Sequence, residues 1–563
     1  MTAVEWRRAR SATGLLRVFT DAGVIESADV HVAQRLTSLA KEPDEAVALA
    51  VAMAVRALRN GSVCVDLRSL QGHVAVEGLP WPNVDEWLAA IKASPLAATP
   101  PTLRVEGDLL YLDRYWLEEQ QVCDDVLAMV GAKPSQATAD LDRLFPAGFE
   151  EQRAAAEVAL SQGLTVLTGG PGTGKTTTVA RLLAQLAGGA RLRIALAAPT
   201  GKAAARLQEA VQLEVEKLEP ADREALAGLH ATTLHRLLGS KPDTSARFRH
   251  NRSNRLPHDV IVVDETSMVS LTMMARLLEA VRPDARLILV GDPDQLASVE
   301  AGAVLADLVD GLGGTRIAEL KTSHRFGESI GRLASVIRTG NAETAIEVLR
   351  AGGEHIEWIE ADEPSEHLRK VLAPRAVELR QAAVLGDDAA ALAILNEHRL
   401  LCAHRRGPYG VRYWNHQVER WLAERTGEPI WSSWYAGRPV LVTANDYGLG
   451  LYNGDTGVTV LRHGVLRAVI AGSERLEFAT SRLADVDTMH AMTIHKSQGS
   501  QADEVTVLMP PADSRLLTRE LFYTAVTRAK EKIRVVGPEA SVRAAVDRRA
   551  IRASGLARRL KGR

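Results

Sequence analysis

Cysteine is scarce: Cys64, Cys123 and Cys402 are the only three in 563 residues, odd in number and scattered. That excludes a disulfide framework and a Cys-rich metal or iron-sulfur site, and it fits a reducing cytoplasm. Long apolar runs are missing too. The most apolar stretch, Ala46 to Val55, falls well short of the ~18 residues that suggest a membrane span, so no membrane association is expected. It reads instead as a buried helix begun by Pro43-Asp44. An early basic patch is not followed by an apolar core and a small-residue cleavage site, so export is not expected. Aromatics make up only 4%, and neither charge dominates: 68 Lys and Arg against 70 Asp and Glu give a formal net charge of −2. A globally basic nucleic-acid surface is excluded, while a local basic channel stays open. What is present is an ordinary globular composition, 46% hydrophobic and 25% charged, in a chain too long for one core of about 250 to 300 residues.

Along the chain, residues 1–120 read as mainly helical, with strand-like stretches at Ser62 to Leu67 and Leu109 to Leu112. The second of these leads into a helix carrying Tyr115 and Trp116, whose simplest role is core packing. Residues 121–148 read as a linker. From Phe149, apolar strands alternate with amphipathic helices, as in parallel α/β layers. Strands are expected at Leu164 to Thr168, Ile194 to Ala198, Val260 to Val263 and Leu287 to Val290. A second set is expected at Leu400 to Ala403, Pro439 to Thr443, Glu504 to Met509 and Ile533 to Val536. The fold class expected is therefore α/β, two RecA-like P-loop lobes at 149–325 and 326–563. A small insertion is expected at about 240–258. Short strands and Gly-rich turns at about 428–487 suggest a small inserted β-barrel. The basic end, RRAIRASGLARRLKGR, reads most simply as a solvated helix face, with DNA or partner contact as the alternative.

The strongest chemical signal is Gly169-Gly170-Pro171-Gly172-Thr173-Gly174-Lys175-Thr176, followed by Thr177, between an expected strand and helix. Glycines let backbone N–H groups turn inward on phosphates, Lys175 can reach the β and γ oxygens of ATP, and the Thr176 hydroxyl can bind Mg²⁺. The strand Val260 to Val263 ends in Asp264 and Glu265. Asp264 would hold Mg²⁺ through its shell and Glu265 would activate the attacking water, although an acidic pair after a strand is also commonly a helix N-terminus. Gln295, in Gly-Asp-Pro-Asp-Gln-Leu after the next strand, could sense the γ-phosphate. Arg325 and Arg528 could supply cations across an interlobe cleft.

The ordered set GGPGTGKTT, APTGKAAARL, TLHRLLG, VVDETSMV, GDPDQL, SHRFG, NGDTG, MTIHKSQGSQADEV and FYTAVTRAK resembles the motifs of superfamily 1 helicases, over residues 149 to about 536. LCAHRRGPYGV with Trp414-Asn415, and YLDRYWLEE at Tyr111 to Glu119, resemble the RecD subunit family in particular. That resemblance implies an ATP- and Mg²⁺-dependent 5′-to-3′ DNA motor acting on single-stranded and duplex-end DNA. The motor would dock through residues 1–120 onto RecB-like and RecC-like subunits as a heterotrimer in which cutting belongs to a partner. It also implies that Gln152 reads adenine, an amide being able both to donate and to accept. Pro199, Thr200, Lys202, Thr233, His235, His495, Lys496 and Ser497 would line the single-strand groove and grip phosphates without reading bases, although Thr200 and Thr233 could equally cap helices.

Alternatives remain at this stage. A stand-alone RecD-like helicase is the nearest, but no clear pair of helix-hairpin-helix segments is found in residues 1–148. A scaffold with a silent ATP site is disfavoured by the complete set of motor residues. A GTPase or ABC-type ATPase would need elements this sequence lacks.

Overall fold

The computed structural model describes residues 9–74, 76–132, 141–188, 192–241, 244–314, 316–322, 328–446, 448–471 and 475–562. Its amino-terminal part packs helices Gly14–Asp21, Ser27–Ala40, Glu45–Arg59 and Val84–Ala93 with an antiparallel sheet ordered Val65–Asp66, Leu109–Leu112, Leu103–Glu106. The apolar run is the Glu45–Arg59 helix. The Asp44 carboxylate accepts from the Ala46 N–H at 2.8 Å, satisfying one orphan donor of the first turn. Val47 and Leu49 through Ala54 are buried, as a helix apolar on every side must be.

The sequence boundary at residue 120 falls inside one long helix, Asp113–Gly131. Its apolar stripe continues past that point, and Val122, Cys123, Val126 and Met129 pack into the core of the first lobe. Tyr115 and Trp116 pack against the same core.

The first lobe is a six-stranded parallel sheet ordered Ile317–Leu320, Leu164–Gly169, Arg286–Gly291, Val260–Val263, Ile194–Ala198, Ala231–Thr233. The second is a five-stranded parallel sheet ordered Ile356–Ile359, Ala529–Val536, Ala502–Leu508, His398–Cys402, Ala491–Thr493. Pro439–Val442 is not one of its strands. It pairs antiparallel with Thr456–Arg462 and Val486–Thr488 in the insertion, while Ile356–Ile359 and Ala491–Thr493 take places the alternation did not reveal.

The insertion is a five-stranded antiparallel sheet, Arg475–Ala479, Val465–Ala471, Thr456–Arg462, Pro439–Val442, Val486–Thr488. Among the described residues its end strands do not pair with each other, so the expected barrel stands here as an open sheet. Both faces are nonetheless covered. Val458, Val460 and Val469 join the second lobe's core, whereas Val440, Val442, Ile470 and Phe478 form a separate cluster with Leu451 and Leu483. A sheet buried on both sides has no need to roll onto itself. Near residues 240–258, Ser240–Lys241 and Thr244–Phe248 form a small antiparallel pair.

The basic end is not a solvated face. After the second lobe the chain returns to the first, where helix Leu556–Lys561 buries Leu556 and Leu560. Arg559 donates to Glu119 at 3.0 Å and to Gln120 at 2.7 Å. The Ala553 carbonyl accepts from the Val63 N–H at 2.8 Å. The Glu119 carboxylate is fully buried, so its acceptors must be filled, and the tail's Ser554 hydroxyl and Gly555 N–H do so together with Arg559.

Candidate active site

The P-loop joins a fully buried strand, Leu164–Gly169, to helix Lys175–Ala187. Gly172 and Gly174 take φ of 82° and 86°, a backbone that turns N–H groups toward one point and is open mainly to glycine. At Gly169 a Cβ would lie 2.5 Å from the Thr173 hydroxyl and 2.8 Å from the Leu320 carbonyl, so the loop is closed against the neighbouring strand. The Lys175 ammonium donates to the carbonyls of Gly169 at 2.6 Å and Gly170 at 2.9 Å. Gln152, on helix Glu150–Ser161, is buried and donates to the Thr173 carbonyl at 3.4 Å. Beside it the Arg181 guanidinium lies 4.1 Å over the Phe149 ring, leaving a flat apolar and cationic edge to the cleft.

Asp264 and Glu265 follow the buried strand Val260–Val263. The Asp264 carboxylate accepts from the Glu265 N–H at 2.8 Å, and burial, reinforced by the charge of Glu265, pushes its pKa up. A carboxylate in that state is stabilised by any cation brought to it. Glu265 has φ of 50°, a left-handed conformation strained for any residue that carries a Cβ, at the point where the chain leaves the strand. Thr176, Thr177, Lys175, Asp264, Glu265, Asp292, Gln295 and Arg528 line one cleft of about 740 Å³ together with Gln152, Pro171, Gly172 and Gly174. That is within the range of small-molecule sites.

The second lobe closes this cleft. Arg528, buried, donates to the Gln295 amide oxygen at 3.1 Å and to the carbonyls of Thr524 at 3.0 Å and Ser500 at 3.4 Å. Gln295 in turn donates to Asp292 at 3.0 Å. Asp292 also accepts from the Tyr523 hydroxyl at 3.0 Å, and burial raises its pKa. Leu296 is held at both ends: its N–H donates to Thr524 at 2.9 Å and its carbonyl accepts from Gln498 at 2.8 Å. Arg325 lies outside the described residues.

The groove residues are less uniform. Thr200 caps helix Gly201–Val215 by accepting from the Ala203 N–H at 3.2 Å, and Thr233 caps Leu234–Leu238 by accepting from Arg236 at 3.2 Å. Both hydroxyls therefore do the plain structural work that their residue types favour. Pro199 sits in the bend between strand Ile194–Ala198 and that first cap. Lys202 is half-buried, and burial of its ammonium lowers the pKa to about 7, with Arg399 adding to the effect and Asp455 opposing it. His235 is exposed, its ring 5.8 Å from Phe248. His495, Lys496 and Ser497 form a short turn after Ala491–Thr493. There the Ser497 hydroxyl points inward, donating to the Ile494 carbonyl at 2.7 Å, while Lys496 reaches Asp487 at 3.8 Å. A second cavity of about 500 Å³ lies between Gly201, Thr233 and Arg236 of the first lobe and Tyr452 and Asp455 of the insertion.

Several functional neighbours escaped the sequence reading: Arg206 and Gln501 on the cleft, Asp292 and Tyr523 across it, and Tyr452 and Asp455 on the insertion. Arg206 and Tyr523 lie inside quoted motifs, four residues after Lys202 and five before Arg528. Helical spacing could have flagged Arg206, whereas Tyr523 is five residues from Arg528, which lies beyond the end of helix Arg519–Val526.

Fold and site together define a two-lobed P-loop nucleoside triphosphatase whose cleft is completed by an arginine from the second lobe. The AAA domain pattern matches residues 149–361, the UvrD-like helicase C-terminal domain pattern 488–536, and the pattern of the RecBCD subunit RecD N-terminal domain 21–111. Over 553 residues the chain is 73% identical to the RecBCD enzyme subunit RecD of Mycolicibacterium smegmatis, covering 97% of this chain and 99% of that one. It is 66% identical to the corresponding protein of Mycobacterium tuberculosis, covering 98% of each. A Deinococcus radiodurans protein named ATP-dependent RecD2 DNA helicase is 30% identical, covering 78% of this chain and 56% of its own length. Among solved structures, a Bacteroides Pif1 helicase in complex with ADP-AlF3 and ssDNA overlaps 69% of this chain and 91% of its own at 18% identity and TM-score 0.41. The chain belongs to the RecD family, and it is an enzyme of the ATP-dependent DNA helicase class.

Proposed function

We propose that this chain is the 5′-to-3′ motor subunit of a RecBCD-type helicase-nuclease, exodeoxyribonuclease V, that acts on duplex ends in recombinational repair of double-strand breaks. The observation that carries the reading is the convergence of Lys175, Asp264, Glu265 and Gln295 from one lobe with Arg528 from the other on a single cleft. In this reading ATP lies on the P-loop, its base against Gln152 and its phosphates on the inward N–H groups and Lys175. Thr176 and Asp264 offer the hard oxygen donors that suit Mg²⁺, which when bound neutralises phosphate charge. Glu265 takes the proton of the attacking water, Gln295 orients it, and Arg528 and Arg325 stabilise the charge that develops on the γ-phosphoryl group.

The Gln295–Arg528 bond links nucleotide state to the separation of the lobes, 149–325 and 326–563. Closure moves the grip of Pro199, Thr200, Lys202, Thr233 and His235 relative to that of His495, Lys496 and Ser497. Residues 1–120 dock RecB-like and RecC-like subunits in the cytoplasm, and DNA cutting belongs to a partner. The match of residues 21–111 to the RecD N-terminal pattern supports docking, and the names of the relatives support the assembly.

The test has two parts. Unwinding is measured on duplexes with a 5′ or a 3′ single-stranded tail, and the chain is isolated from cells to find whether large subunits accompany it. Unwinding restricted to 5′ tails and two co-purifying large subunits are expected. Preference for 3′ tails overturns the polarity, and a solitary active chain makes it a stand-alone helicase instead.

A further inference from the structure

We propose that Arg206 is a positioning residue that couples DNA binding to ATP hydrolysis through its hydrogen bond to Gln501 across the interlobe cleft, an inference that rests on the motor reading above. Its Nη2 donates to the Gln501 amide oxygen at 2.6 Å, joining the first lobe to the second, and both side chains line the cleft that holds Lys175, Glu265 and Arg528. Burial raises the pKa of Asp264 and lowers that of Arg528, and the charge of Arg206 opposes the first shift and adds to the second, so it lies within electrostatic reach of the reacting end.

Two connected elements end at this bond. Helix Gly201–Val215 begins with Thr200 and Lys202, and Lys202 and Arg206, four residues apart, share one helix face. The helix start is clasped by the second lobe on both sides. A Cβ on Gly201 would lie 2.5 Å from the Tyr452 side chain, and one on Gly499 would lie 3.5 Å from the Ala203 methyl. From Thr200 to Arg206 is about 9 Å of rigid helix, so a displacement of the start moves the guanidinium.

The other element is the segment from His495 to Gln501. It begins with the DNA-facing turn and ends with two consecutive acceptors, the Ser500 carbonyl for Arg528 and the Gln501 amide for Arg206. DNA that presses either element therefore shifts the pair of arginines together. The fork geometry of Arg206 suits this, because it can keep Gln501 while turning a second N–H toward the cleft.

The test is steady-state ATP hydrolysis by the full-length chain at saturating oligo(dT). Arg206→Met and Gln501→Ala are each expected to lower kcat about tenfold with KM for ATP within about twofold, as loss of one charge-assisted bond specific to the stimulated state would. The double variant is expected to be no worse than the poorer single, because both remove the same bond, and Arg206→Lys should recover part of the loss. Unchanged thermal midpoints report an intact fold. Additive losses, unaltered kcat, or a rise in KM that accounts for the whole effect would overturn the coupling role. If DNA stimulates neither the unsubstituted chain nor the complex it forms with its large subunits, the motor reading fails and takes this inference with it. Normal stimulation of the unsubstituted chain and of Arg206→Met alike removes the coupling role alone.

Discussion

The two lobes are built on the same principle, a parallel sheet covered by helices, yet they contribute to the cleft in different ways. From the first come Lys175, Asp264, Glu265 and Gln295, each at the carboxyl end of a strand of one sheet, the edge where such sheets bind ligands. The second sends in Arg528, Tyr523, Gln498 and Gln501, which reach their targets only by crossing between lobes. In the proposed mechanism, nucleotide chemistry is thus centred on one sheet, and control of it on the contact. Loss of Lys175 or Glu265 should end hydrolysis whatever the lobes do, whereas loss of one of these second-lobe residues should spare nucleotide binding.

The sharpest break of that contrast is Lys175→Gln, expected to reduce ATP hydrolysis by roughly a thousandfold or more with and without DNA. Phosphate release followed by a coupled assay checks it, and surviving activity would remove the P-loop from the site. Next, Arg528→Ala should cut DNA-stimulated turnover by about a hundredfold or more while leaving the Kd for a fluorescent ADP analogue within a few-fold. A matched loss of binding would make Arg528 a simple nucleotide contact.

Lys202 gives a pH test. Burial holds its folded pKa near 7 against an ordinary 10.5, and an anionic phosphate would draw the proton back. DNA binding then takes up a proton above pH 7, so affinity for oligo(dT) should fall as pH rises from 7 toward 10, by at most about tenfold per pH unit. Lys202→Met should flatten that slope in fluorescence anisotropy; an unchanged slope would place the phosphate contact elsewhere. The same shift means the folded chain binds fewer protons than the unfolded one between pH 7 and 10.5, so the Lys202 contribution to stability rises with pH over that window. The smallest effect expected is that of Tyr523→Phe, which takes one donor from Asp292 and leaves those of Gln295 and the Asp294 N–H. DNA-stimulated kcat should drop about fivefold, corresponding to one hydrogen bond, and no change would mean that the bond does not hold the lobes.

Legibility in the sequence followed the same division. Four strands of the first sheet could be marked nearly to the residue because each is a short apolar run ending in a chemically distinctive loop, whereas its two edge strands, Ala231–Thr233 and Ile317–Leu320, were missed. Ile356–Ile359 and Ala491–Thr493 in the second sheet were missed, the latter because it is only three residues long and runs into a conspicuous motif that begins at Met492. Pro439–Val442 has the composition of a parallel strand, since both its faces are covered, and only its partners assign it to the insertion. The charged end of the chain misled in another way: its arginines look solvated in sequence, and nothing local announces that the fully buried Glu119 waits for one of them.

What the sequence by itself determined is the chemistry of contiguous residues: the P-loop, the acidic pair, the amide after the next strand, and the alternation that makes two α/β lobes. These are legible because each depends on neighbours within a few residues of one turn or strand end. Only the tertiary structure decided which residues meet across the cleft, that Thr200 and Thr233 spend their hydroxyls on helix caps, that Ser497 turns inward, and that the tail returns to the first lobe. Such pairings join residues up to 491 positions apart, as between Ser62 and Ala553. They are set by the packing of whole elements, which no local pattern encodes.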